Sequence, residues 1–94
     1  MTLRIEKYMN GEQVVLKLVG QIQGDDLEEL KAQMETNGTG MAFDLDELTL
    51  LDAVVVRFFV ACEDAGLGLI NCAPYIREWM KRERVRGEKA LGGR

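Results

Sequence analysis

A chain of 94 residues that is 47% hydrophobic and 30% charged, with one proline and only one Trp, two Tyr and three Phe, is a single globular domain, not a disordered or fibrous chain. Histidine and serine are absent, which excludes Ser-His-Asp hydrolysis, histidine base catalysis and histidine metal ligation within one chain, so no enzyme activity is expected. The net charge of −4 hides an asymmetry: residues 1–74 carry 5 Lys and Arg against 13 Asp and Glu, residues 75–94 carry 7 against 3, and so acidic a body argues against a nucleic-acid partner.

The N-terminus alternates charged and apolar residues from Met1 to Lys7 and forms no signal-peptide core, and no apolar run reaches the ~20 residues of a bilayer span. A cytoplasmic chain without membrane insertion is therefore expected. Leu3 and Ile5 alternate with Arg4 and Glu6, and after Asn10-Gly11 the β-branched run from Gln13 to Val19 resumes that period. This reads as a hairpin whose second strand stops at Gly20. Asp25, three residues before Glu28, reads as a carboxylate capping box, and Leu27, Leu30 and Met34 recur at helical spacing, so a helix is expected from about Asp25 to Glu35. Asn37-Gly38-Thr39-Gly40 ends it, and Met41–Leu45 reads as a short buried strand.

The run from Leu48 to Cys62 has strand propensity throughout, yet it is long for a strand, Asp52 is a good helix N-cap and Gly66 a good stop, which favours a helix over 53–65. Leu67–Asn71 reads as a strand, and Pro74 opens a last helix whose stripe of Tyr75, Ile76, Trp79 and Met80 stands opposite Arg77, Lys81, Arg82 and Arg84. Periodicity ends at Val85, so the expected organisation is a domain over residues 1–84 and a flexible basic tail over 85–94. Cys62 and Cys72 lack metal or CxxC spacing and read as small buried hydrophobes; a disulfide between them stays open. The expected fold is α/β, with about four strands and three helices in the order ββαβαβα, an antiparallel hairpin followed by parallel crossovers, and the helices on one face.

The segment Asp44-Leu45-x-x-Leu48-x-x-Leu51-Asp52, the helix directly after it, the Ala65-Gly66-Leu67-x-Leu69 strand start and Asn71-x-x-Pro74 before the last helix, in that order behind a hairpin, resemble the STAS domain family over about residues 3–84. STAS domains occur in anti-sigma-factor antagonists and at the end of sulfate transporters. The resemblance implies a non-enzymatic regulatory module that binds a protein, such as an anti-sigma factor, a kinase-like partner or another regulator, and needs no cofactor. In antagonists of this kind a Ser-Ser-Gly-like stretch follows the aspartate and its second hydroxyl is phosphorylated. Here Ala53 and Val54 fall on the two hydroxyl positions and Val55 on the glycine, so Val54 offers no oxygen for that charge switch. The resemblance also makes the chain look short, ending where relatives continue with a strand and a helix, which would leave a sheet edge bare for self-association, as a homodimer.

The expected partner interface is Thr49, Asp52, Ala53, Val54 and Val55. Asp52 already has a structural reason to be there as a cap worth ~1 kcal/mol, and Thr49 reads as a strand-to-loop corner. Asp44, Asp46, Glu47 and Asp52 are read as a solvated acidic rim, with no metal expected. The basic face of the last helix is what the helix dipole favours, and Trp79 is read as core. A second reading of the whole is a homo-oligomeric scaffold or a subunit of a membrane-transport or signalling complex. A carboxylate-only hydrolase is a remote third.

Overall fold

The alternating N-terminal residues do build a hairpin. The computed structural model describes residues 3–38 and 40–92, and in it β1 (Leu3–Asn10) pairs antiparallel with β2 (Gln13–Ile22) from Leu3↔Gly20 to Asn10↔Gln13. The loop is Gly11-Glu12, and Gly11 alone has a positive φ, 64°. That is the type II′ pattern, in which only the first central residue needs the left-handed region that glycine enters freely.

β2 does not stop at Gly20. It continues to Ile22, and Gly20 takes a φ of 98° at the point where the pairing on its other side slips. On that side β3 (Ala42–Asp44) runs parallel to β2 with Val15↔Ala42, and β4 (Leu48–Leu51) runs parallel to it further along with Ile22↔Leu51. Two extra residues accumulate between these pairs, so the strand expected at 41–45 is in fact a broken strand of two segments. The Gly20 N–H donates to the Glu47 carbonyl at 3.1 Å across the break. β5 (Gly68–Ile70) adds in parallel beyond β3. The sheet therefore has five strands instead of about four, ordered β1-β2-β3-β5 with β4 beside β2.

A single 3₁₀ turn (Gly24–Asp26) leads into α1 (Leu27–Asn37). The capping acid is Asp26, not Asp25: its carboxylate accepts the Gln23 N–H at 2.8 Å. α2 (Ala53–Asp64) begins after Asp52 and ends before Gly66, φ 100°, as the cap and stop residues dictate. α3 (Pro74–Gly92) buries Ile76 and Met80 but leaves Tyr75 51% exposed, so Tyr75 is not part of the inward stripe. The helix continues past residue 84, where the apolar stripe ends, through Gly87 to Gly92 over a stretch without proline.

Leu16, Leu18, Phe43 and Leu69, which share one sheet face by their pairing, pack in one buried cluster with Leu27 and Leu30 of α1, Val55, Val56, Phe59 and Cys62 of α2, and Ile76 and Met80 of α3. All three helices thus seal the same face. The order ββαβαβα holds, with its third strand split in two.

Candidate functional site

Asp52 closes β4 in extended conformation, φ −113° and ψ 176°, and its two carboxylate oxygens serve two elements. One accepts the Val55 N–H at 3.0 Å, capping α2; the other accepts the Gly24 N–H at 3.2 Å and ties the 3₁₀ turn to the same corner. Each bond satisfies an amide with no partner inside its own helix and is worth roughly 1 kcal/mol. With the carboxylate so engaged, Asp52 is the joint of the site.

The two valines after it face opposite ways. Val55 is 0% exposed in the core, whereas Val54 is 47% exposed at the helix tip, beside Gly24, where a methyl group would stand 3.5 Å from its Cγ1. Ala53, the first residue of the helix, is half-buried. Thr49 lies within β4 rather than at a corner, and its hydroxyl donates to the Gly20 carbonyl at 3.0 Å. The structure therefore gathers Thr49, Asp52, Ala53 and Val54 at one end of the sheet and turns the Val55 side chain inward. Leu50, 53% exposed on β4, points to the sheet face away from buried Leu51 and the helices. Sequence reasoning passed over it because its outward direction depends on the pairing of β4 with β2, Gln21↔Leu50.

The acidic residues do not form one rim. Asp44 is 4% exposed. Its carboxylate accepts from the Tyr8 hydroxyl at 2.8 Å, the Asn71 side-chain amide at 3.1 Å and the Asp46 N–H at 3.0 Å. Burial pushes its pKa up, but these three hydrogen bonds and the charge of Lys17 outweigh it and hold the carboxyl below its ordinary value. Tyr8 is correspondingly raised, chiefly by donating to Asp44. Lys17 pairs with Glu47 at 2.8 Å, which raises its pKa as well. Asn71 reaches Asp44 from a left-handed conformation, φ 56°, that Asn tolerates better than most side chains. This network crosses the sheet face that carries no helix and locks β1, β3 and the end of β5 together. The signal for it was an aspartate inside the apolar run Met41–Leu45.

Two of the four residues of the basic face of α3 are engaged on α2. Arg77 and Arg84 both hold Glu63, at 2.7 and 3.1 Å, and Arg84 also holds Asp64. Glu83, 6% exposed, accepts from Arg57 at 3.2 Å and from the Trp79 indole at 3.3 Å. Trp79 packs against the core cluster, as expected. Cys62 and Cys72 are free, and burial pushes the Cys62 thiol up to about 11 and raises Cys72, so both are poor nucleophiles at neutral pH. Among the described residues no cluster of three or more acids and cysteines is arranged to hold a metal ion, and no helix is long and apolar enough to cross a membrane.

A mixed sheet with its helices on one face and an aspartate-capped helix directly after the split third strand defines a STAS-like α/β domain. The solved structure of the anti-sigma factor antagonist SpoIIAA in its unphosphorylated form is similar to it, with a TM-score of 0.58 at 17% identity over 97% of this chain and 98% of that one. At this identity the likeness is one of fold. No family model matches the chain, and no curated protein does.

Proposed function

We propose that this chain is a non-enzymatic regulatory module that binds a protein partner, of the anti-sigma-factor, kinase-like or other regulatory kind, through the tip of α2, without a phosphate switch at Val54. The observation that carries this reading is the exposed side chain of Val54, at 47%, at the tip of α2 directly after the hydrogen-bonded Asp52 joint. Methyl groups fill the position where the family resemblance expects a hydroxyl. A phosphate there would bring a charge of about −1.5 to −2 to a helix N-terminus; valine instead contributes apolar area, and burying its side chain is worth roughly 1.5 kcal/mol. Binding is then constant in sign, and regulation falls to abundance or to a third protein.

The test uses a partner captured with the wild-type chain, purified, and titrated against V54D. An aspartate in the first turn suits a helix N-terminus, so the variant keeps its fold. The expected result is at least about a tenfold loss of affinity, the scale of one lost apolar anchor. Unchanged affinity removes the α2 tip from the interface.

A further inference from the structure

β1 is an outer strand: its eight residues pair with β2 on one side, and among the described residues no strand pairs with the other. Its free N–H and C=O groups are a template for another strand. The hairpin fixes which residues present them. A two-residue loop closes on a hydrogen-bonded pair, Asn10↔Gln13, and bonded and open pairs alternate from there, so Leu3, Ile5, Lys7 and Met9 turn their backbone groups outward.

A second copy pairing about a twofold axis must set these residues opposite one another, which leaves few registers. An axis through Arg4, Glu6 or Lys7 places that charge against its own image, a destabilising arrangement. An axis nearer the turn forms no ion pair. An axis through Ile5 places Arg4 opposite the partner's Glu6 at both ends, in the open pairs where side chains approach most closely. Arg4 and Glu6 already share one face, 2.8 Å apart with side chains 69% and 47% exposed, so both are available. On the helix side the same axis sets Ile5 against the partner's Ile5, and the partner's Lys7 opposite Leu3. There a groove of about 370 Å³ is lined by Leu3, Arg4, Ile5, Asp26 and Glu29, two carboxylates facing an arriving ammonium.

We propose that two copies of this chain dimerise by antiparallel pairing of β1 with β1 about Ile5, joining their sheets edge to edge. The proposal is independent of the α2-tip reading, because β4 and α2 follow the opposite edge of β2, and V54D leaves it untouched. Sedimentation of the full chain from about 10 μM to 1 mM, the range suited to a small interface, is expected to show a monomer–dimer equilibrium. R4E and E6R each create two like-charge pairs and should weaken it at least about tenfold. An equimolar mixture of R4E and E6R, in which every pair is again opposite in sign, should associate like the wild type, and so should the double swap R4E/E6R. Lys17, opposite Glu6 in the hairpin, keeps Glu47 as its partner, so E6R retains its fold, which circular dichroism checks. A wild-type monomer at every concentration overturns the proposal, whether the edge is left to solvent or to a foreign strand. So does a dimer indifferent to both single variants, or a mixture of the two that stays monomeric.

Discussion

Asp44 shows how one buried carboxylate organises the uncovered side of the sheet. Three donors converge on it from β1, from the residue after β5 and from its own loop, and they stabilise the ionised form against burial. Because the folded pKa lies below the unfolded value of 3.8, the stability Asp44 contributes is fully present above about pH 4 and is lost as pH falls through the lower, folded value. D44N should therefore lower stability at pH 7 by about 2 kcal/mol, since it keeps the shape but turns one acceptor into a donor facing donors. Urea unfolding at pH 7 and pH 3 checks this. The gap between wild type and variant should narrow in acid, and a gap that stays constant would assign the loss to packing instead of charge.

At the scale of elements, the split of the third strand sets the site: it carries β4 past the bend at Gly20 and delivers Asp52 to the corner where α2 begins. G20A forces a side chain onto a residue at φ 98° inside β2, which should cost about 1–2 kcal/mol. Hydrogen exchange should show the β4 amides losing protection before those of β1, and equal loss along both strands would separate the bend from the register. Much of this architecture was legible because its signals are local: the hairpin glycine at Gly11, the Asp52 cap, the Gly66 stop and the apolar face of α2 each lie within a few residues of what they determine. β4, the inward turn of Val55 against the outward turn of Leu50 and Val54, and the Tyr8–Asp44–Asn71 network were not legible. They depend on register between strands far apart in sequence. The acidic residues read alike as solvated because composition cannot distinguish an aspartate met by three donors from one met by water.

For the whole molecule, the charge asymmetry resolves into two kinds of positive residue. Arg77 and Arg84 are spent on Glu63 and Asp64 of α2, and Glu83 is held by Arg57 and Trp79, so α3 is fixed to the body by groups that all precede residue 85 together with buried Ile76 and Met80. Beyond them, Val85 is 53% exposed and Arg86 stands 4.0 Å from Glu83 with its side chain 74% exposed, too open to add much. A domain over 1–84 should therefore stand without the extension over 85–94. Truncation after Arg84 is expected to leave the thermal midpoint within about 2 °C of the full chain, since a loss of 1 kcal/mol would move a domain of this size by roughly 4–8 °C. Removing Arg86, Lys89 and Arg94 with Glu88 takes the net charge from −4 to −6, so truncation should weaken attraction to acidic surfaces while leaving the proposed interface at the α2 tip intact. A drop in midpoint on truncation would instead make the end of α3 part of the folded unit, and the boundary at residue 84 would have to move.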